Sequence, residues 1–257
     1  MERFCEPNLP SSRVRSAFIS SILPDAIVNE LNDYGIETFK LGKSKNLPGE
    51  LAYHPDLLVN NFRKGHWVYE EDADYIPREM PGFDKKSFHE NNIQLGKIYP
   101  YDCLFNCFRI HNTVICGKKV ADFIKFNIQY EGLDVIYVPQ GYAKCSTVLV
   151  SSDAAITCDR SIYKALRSLY VDVLLLPNNE GVSLNGYSCG FLGGCATLLD
   201  KNLLAFTGNL NTYKYGGNIT DFCKNHGVDV FSLTNESMYD YGGILPLTEM
   251  VPSDEIV

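Results

Sequence analysis

The chain has 257 residues, of which 45% are hydrophobic and 21% are charged, and its formal net charge is −8. This length and composition predict one large globular domain over residues 1–257. The negative charge argues against a nucleic-acid partner, since the longest basic cluster is only Lys118–Lys119.

Cysteine usage and hydropathy predict a cytoplasmic location. The nine cysteines are spread along the chain without a CxxC pair, a pattern typical of reduced thiols rather than of a disulfide framework. No apolar signal segment begins the chain, and no apolar segment approaches the length of a membrane span, so we expect no membrane partner. The sequence does not predict the oligomeric state.

In chain order, helical patterns of apolar residues alternate with short apolar strands. The predicted helices cover residues 23–35, 118–132, 160–171 and 217–227, and the predicted strands that end each unit cover residues 34–42, 91–100, 131–139, 169–177 and 226–234. One or two further short strands precede the helices, as in residues 145–159 and 195–208. The repeating unit is therefore strand, strand, helix, strand.

This repeat divides the domain into five units of similar design. They cover residues of about 12–42, 50–100, 101–139, 140–177 and 180–234, with a C-terminal extension at 235–257. In the second unit an acidic, proline-broken segment replaces the helix, and its run of Glu70, Glu71, Asp72 and Asp74 is typical of a solvated loop. An ordinary doubly wound α/β sheet is the alternative fold, but no GxGxxG turn follows a first strand.

Two short motifs carry a resemblance to a known superfamily. They are "YHPD" at residues 53–56 and "YAKCST" at residues 142–147, with "GFLGG" at 190–194 and "GGILP" at 242–246 in support. With the five units, they resemble the pentein superfamily of guanidino-group-modifying enzymes, and most closely an uncharacterised bacterial subfamily of it. The resemblance implies an α/β-propeller of five pseudo-symmetric ββαβ units around a central axis, and a small guanidino substrate. It implies no cofactor and no metal.

The resemblance also suggests roles for particular side chains. Cys145 is the expected nucleophile, and His54 is the expected acid and base. Asp56 is expected on a strand, one residue beyond Pro55, with its side chain on the same side as that of His54. It would accept hydrogen bonds from the guanidinium group of the substrate. The further candidates are Asp102 as second carboxylate, Lys144, Asn106, Gly193 and Gly194 as substrate-binding residues, and Cys195 as alternative nucleophile.

Several alternatives remain open at the level of sequence. Cys145 is equally well read as a buried core thiol, and Asp102 as a turn residue. Cys103 and Cys107 are spaced in the sequence as two metal ligands could be, but on a strand their Cα atoms would lie too far apart for easy chelation. The opening strand of the first unit also lacks the carboxylate found in characterised members of the superfamily, and a full unit follows the nucleophile.

The open alternatives lead to two classes of function. The first is a cysteine-dependent hydrolase or amidino-transfer enzyme that acts on an arginine-like compound through a covalent Cys145 adduct. The second is a non-catalytic module of the same fold that binds a small ligand or a protein partner. Fold alone does not choose between them.

Overall fold

The chain forms five small β-sheets and five α-helices in the parts that the computed structural model describes, which are residues 1–77, 88–90, 93–120 and 122–251. The strands are β1 Glu2–Phe4, β2 Val14–Ser20, β3 Glu37–Leu41, β4 Val59–Arg63, β5 His66–Tyr69, β6 Phe88–Glu90, β7 Cys107–Ile110, β8 Thr113–Gly117, β9 Asp134–Val138, β10 Thr147–Ser151, β11 Ala154–Thr157, β12 Asp172–Leu175, β13 Ala196–Asp200, β14 Leu203–Phe206, β15 Asp229–Ser232 and β16 Leu245–Met250. The helices are α1 Asp25–Asp33, α2 Pro55–Leu58, α3 Asp122–Tyr130, α4 Arg160–Ser168 and α5 Gly216–Asn225, with 3₁₀ turns at Gly49–Tyr53 and Leu192–Gly194.

Four of the sheets share one strand order, namely β4-β5-β6, β7-β8-β9, β10-β11-β12 and β13-β14-β15. In each sheet the first two strands are antiparallel and the last two are parallel. Parallel strands need a crossover connection, and α3, α4 and α5 lie in three of these crossovers. The predicted ββαβ pattern is confirmed there. In the second unit, the crossover falls largely outside the described residues.

In the first sheet, the position of the first strand of the repeat is filled by β16, which comes from near the C-terminal end of the chain. Its order is β1-β16-β2-β3, in which β16 is antiparallel to β2, and β2 is parallel to β3. The predicted C-terminal extension therefore contributes the strand that completes the first unit. A buried carboxylate connects β16 to the N-terminal segment, because Glu249 on β16 accepts hydrogen bonds from Arg3 Nε on β1 at 2.9 Å and from the Ser11 amide at 2.6 Å.

The helices pack through one apolar face each. In α4, Ile162 and Leu166 are fully buried, and Asp159 begins the helix by accepting hydrogen bonds from the amides of Ser161 and Ile162. Complete burial of one such aliphatic side chain stabilises the fold by about 1.5–3 kcal/mol. The first strands of neighbouring sheets also touch, since β13 contacts both β10 and β16, and β4 contacts β7. The turns that precede these strands are thereby brought close together.

Two expectations for the second unit were wrong. Residues 93–100 form bends and turns rather than a strand, and β6 pairs with β5 in their place. The physical reason is Glu70, which is buried and accepts hydrogen bonds from Ser44 Oγ, Asn46 Nδ2 and the Leu95 amide, each at 2.9 Å. The Leu95 amide is thus bound to a carboxylate instead of a neighbouring strand, and Glu70 is not part of a solvated loop. Residues 78–87 of the acidic segment lie outside the described residues.

The longest helix in the described part of the chain, α5, has 10 residues. No helix among those residues combines the length and the apolar character needed to cross a membrane.

Candidate active site

His54 and Asp56 lie where a 3₁₀ turn meets a short helix. His54 immediately precedes α2, whose first residue, Pro55, has a backbone angle suited to a helix start. Asp56 is therefore in the first turn of α2 and not on a strand, which corrects the expected geometry. Its amide donates to the Gly242 carbonyl at 3.1 Å. The segment that carries His54 and Asp56 is thus fixed to the segment just before β16.

The Cys145 thiol contacts two of the predicted site residues. Cys145 lies in the turn before β10, and its Sγ is 3.0 Å from Asp56 Oδ2 and 3.1 Å from Asn106 Nδ2. Cys145, Asp56 and Asn106 are each no more than 2% exposed. The structure therefore brings together, inside the protein, three side chains from the segments that precede three different sheets.

A second carboxylate, Asp240, faces the imidazole of His54. The distance between His54 Nδ1 and Asp240 Oδ1 is 3.8 Å, and both side chains are 1% exposed. The two oxygens of Asp240 accept hydrogen bonds from the amides of Phe191 at 2.8 Å and Gly242 at 2.9 Å. The carboxylate is thus held in one orientation by backbone donors.

Sequence reasoning missed Asp240. The opening strand of the first unit has no carboxylate, which left open whether the acid comes from elsewhere in the chain or is absent. The strand that opens that sheet is in fact β16, and Asp240 lies just before it. The available signal was the nearby "GGILP" motif, which the resemblance included but to which no role was given.

Three glycines allow the backbone to approach these side chains closely. A Cβ atom on Gly194 would lie 1.8 Å from Asp240 Oδ1, and one on Gly193 would lie 2.5 Å from the Cys145 carbonyl oxygen. Gly242 has a φ of +75°, and a Cβ there would lie 2.4 Å from His54 Cα. The Gly194 amide donates to the Phe191 carbonyl, so this N–H group is already used within the protein.

Burial sets the ionisation of the central groups. It raises the pKa of Asp56 from 3.8 to about 6, against the opposing charges of Lys144 and His54. Burial, followed by the charge of Asp56, raises the pKa of the Cys145 thiol well above its ordinary value. The Lys144 ammonium group, which donates to the Gly193 carbonyl at 3.2 Å, opposes both shifts. Without a ligand, the sulfur is therefore a protonated thiol.

The remaining predicted residues occupy different surroundings. Asp102 Oδ2 accepts a hydrogen bond from the Tyr142 hydroxyl at 2.6 Å, and its Oδ1 has no hydrogen-bond partner among the described residues. Cys195 is fully buried, and its Sγ contacts the Phe191 carbonyl at 3.5 Å. Cys145 is thus the one of the two candidate nucleophiles whose sulfur bonds to a carboxylate. Within the described ranges, no group of three or more metal-ligating side chains is assembled.

A pocket of about 630 Å³ is lined by residues from the segments that carry His54 and Asp240, although neither of these two side chains lines it. Its wall includes Tyr239, which precedes Asp240, and Glu50, which lies in the 3₁₀ turn before His54. The Tyr239 hydroxyl donates to Glu50, so the two segments are joined at the pocket wall. The rest of the wall comes from residues 180–189.

The likeness of the fold to solved structures defines the structural class of the protein. Agmatine deiminase from C. jejuni has a TM-score of 0.52 and 9% identity to this chain, and the match covers 93% of this chain and 94% of that one. DDAH from Pseudomonas aeruginosa, as a cysteine-to-serine variant with citrulline, has a TM-score of 0.53 and 9% identity, covering 86% and 92% of the two chains. A dimethylarginine dimethylaminohydrolase adduct with 4-chloro-2-hydroxymethylpyridine has a TM-score of 0.51 and 9% identity, covering 88% and 92%. The chain thus has the fold of the pentein enzymes.

Within that class, the chain belongs to a family of unknown function (DUF6873), whose model matches residues 18–245. No curated protein matches the chain.

Proposed function

We propose that the protein is a cysteine-dependent enzyme that hydrolyses a small guanidino compound, or transfers its amidino group. The observation that carries this proposal is the 3.0 Å contact between Cys145 Sγ and Asp56 Oδ2, beside a His54–Asp240 pair. A buried thiol bonded to a carboxylate is unusual for a core cysteine, because an aspartate is rarely placed in a core without a functional reason. The five sheets would close around an axis, with these residues at its centre.

The proposed reaction begins when a guanidinium cation binds against the Asp56 carboxylate. The cation offsets the negative charge that disfavours the thiolate, so the Cys145 proton can pass by way of Asp56 to His54, which leaves Asp56 ionised. The sulfur then forms a bond to the guanidinium carbon, and the carbon–nitrogen bond to the departing amine breaks as His54 gives that nitrogen a proton. Asp240 orients the imidazole and stabilises its protonated form.

In the second half of the reaction, His54 takes a proton from water, and the resulting hydroxide attacks the amidino carbon. The carbon–sulfur bond breaks, the thiol is restored, and a ureido product leaves. An amine that took the place of water would receive the amidino group instead, so hydrolysis and transfer share the first half of the mechanism.

The pocket lined by Glu50 and Tyr239 is the proposed site of the substrate's tail. The charged residues in its wall are Glu50 and Glu180, and Glu180 is paired with Lys214. Since its described wall contains no lysine or arginine, the pocket favours a neutral or cationic tail over a carboxylate. Guanidines with amine, hydroxyl and carboxylate tails of equal length should therefore react in that order, and Glu50→Gln should weaken the preference for the amine.

A covalent guanidine mimic tests the proposal directly. Chloroacetamidine should attach to one cysteine per chain, at Cys145, in a Cys189→Ser background that removes the exposed thiol. His54→Ala should suppress this attachment, and Cys195→Ser should leave it unchanged. Release of an amine or ammonia from a panel of guanidines should disappear in Cys145→Ser. Attachment scattered over several cysteines, or none at Cys145, would contradict the proposal.

The burial of the site favours one alternative, a binding module without turnover. His54, Asp56 and Cys145 are each at most 2% exposed, so substrate must displace the residues that cover them before it can react. If a guanidine binds, as measured by calorimetry, but neither product nor a Cys145 adduct forms, this second function replaces the first.

A further inference from the structure

The side chain of Asn106 has no hydrogen-bonding capacity left for a ligand. Its Oδ1 accepts from the amides of Lys144 at 2.8 Å and Cys145 at 3.2 Å. Its Nδ2 donates to the Asp56 carbonyl at 2.9 Å and to Cys145 Sγ at 3.1 Å. A carboxamide has two acceptor positions and two donor hydrogens, so all four are used within the protein.

The orientation of this carboxamide follows from its partners. The Lys144 and Cys145 amides can only donate, so the atom that faces both must be the carbonyl oxygen. Exchanging the oxygen and nitrogen of Asn106 would place donors against donors on that side, and an oxygen against the Asp56 carbonyl on the other. The NH₂ group must therefore point at the sulfur.

The sulfur consequently lies between one donor and one acceptor. Its S–H bond points to Asp56 Oδ2, and its lone pairs face Asn106 Nδ2. When the proton passes to Asp56, the S–H bond breaks and an O–H bond forms, so the total charge of the pair stays the same. The thiolate then accepts hydrogen bonds from both neighbours, and a bond from an amide to an anion is stronger than one to a neutral thiol.

We infer that Asn106 is a positioning residue, which fixes the Cys145 turn and stabilises the thiolate formed through Asp56, and that it does not bind substrate. The inference rests on the proposed function in so far as the sulfur is the nucleophile. It replaces the expectation from sequence that Asn106 would orient a substrate group.

The test measures the thiol rather than turnover. In the Cys189→Ser background, the rate constant for alkylation of Cys145 by iodoacetamide is followed from pH 6 to 10.5 by peptide mass spectrometry. Asn106→Asp keeps an acceptor for the two amides but loses the donor to sulfur. Its rate constant should fall about tenfold at pH 8 and throughout the series, which corresponds to a rise of about one unit in the pKa of the thiol. Asn106→Ala should show the same direction of change.

The chain offers a matched control in Asn60. This asparagine is also buried and donates to the Cys107 carbonyl at 2.9 Å, without contacting Cys145. Asn60→Ala should leave the alkylation profile of Cys145 unchanged. If Asn106→Asp does not fold, the comparison of Asn106→Ala with Asn60→Ala decides the question.

The outcomes separate this inference from the proposed function. An alkylation profile that is the same in the wild-type protein and in the Asn106 variants overturns the inference, as does a higher KM for a guanidine with an unchanged profile. A shifted profile in a protein that turns over no guanidine supports the inference and contradicts the proposed function.

Discussion

Asp240 and His54 lie 3.8 Å apart between Oδ1 and Nδ1, although they come from opposite ends of the chain. That distance is within the range of an ion pair and beyond that of a hydrogen bond. Because backbone amides hold both oxygens of Asp240, the carboxylate cannot turn away. The imidazole therefore faces a carboxylate that is held in one orientation.

Asp240→Asn should separate the role of His54 from that of the thiol. We expect kcat/KM for a guanidine substrate to fall about 100-fold or more, since general acid–base catalysis contributes about 10²–10⁴. Alkylation of Cys145 should be as fast as in the wild-type protein or faster, because the charge of Asp240 raises the pKa of that thiol. Asp221→Asn, at an exposed position on α5, is the control. A parallel loss of turnover and alkylation would instead indicate that Asp240 supports the whole site.

The buried carboxyl group of Asp56 should make stability depend on pH. Its pKa rises from 3.8 to about 6 on folding. The folded state thus binds this proton more tightly, and the resulting stability is fully present below pH 3.8 and is lost as pH rises through about 6. At pH 8, Asp56→Asn should raise the free energy of unfolding by on the order of 3 kcal/mol, and at pH 4 by much less.

Urea unfolding of the wild-type protein and of Asp56→Asn at pH 4, 6 and 8 measures this difference. Turnover should be abolished by the same substitution, so a residue needed for activity would be one that lowers stability. A gain that is the same at pH 4 and pH 8 would show that the effect does not come from ionisation of Asp56.

The local pattern of the sequence predicted most of the repeated elements. The strands β3, β9, β12 and β15 lie within the predicted segments, and each of the helices α1, α3, α4 and α5 overlaps a predicted helix. These elements depend on the spacing of apolar residues, which is visible within a short window. Residues 93–100 were predicted wrongly because a distant carboxylate, Glu70, binds the Leu95 amide.

The site was predictable only where a motif carried it. Cys145 Sγ contacts Asp56 and Asn106, whereas the catalytic roles of these residues remain predictions. Asp240 could not be found in this way, since its position depends on the pairing of β16 with β2, near the other end of the chain. Such pairing is decided by the three-dimensional packing of whole sheets, and the local spacing of apolar residues does not show which distant strands will pair.

A single methyl group at Gly194 should disrupt the site. A Cβ at this position would lie 1.8 Å from Asp240 Oδ1, so Gly194→Ala must displace the carboxylate or the backbone. We expect a loss of about 1–3 kcal/mol in the free energy of unfolding, together with a fall in turnover.

Gly217 on α5 is the control for this substitution, because a Cβ there has no neighbour within 4 Å. Gly217→Ala should raise the free energy of unfolding by up to about 1 kcal/mol, since alanine favours a helix more than glycine does. Unfolding curves and turnover of both variants give the comparison. Equal effects at the two glycines would contradict the close approach to Asp240.

The nine cysteines should differ sharply in their reaction with bulky reagents. Cys189 is exposed and Cys158 is partly exposed, whereas the other seven, including Cys145 and Cys195, are buried. A fluorescent maleimide should therefore label Cys189 within minutes and leave Cys145 unmodified in the folded protein. Peptide mapping after labelling, with and without urea, measures this order. Since a small amidine must reach Cys145 for the proposed chemistry, chloroacetamidine should label it under conditions in which the maleimide does not. Equal protection of Cys145 from both reagents would indicate that the covering residues do not open, and would favour the binding module over the enzyme.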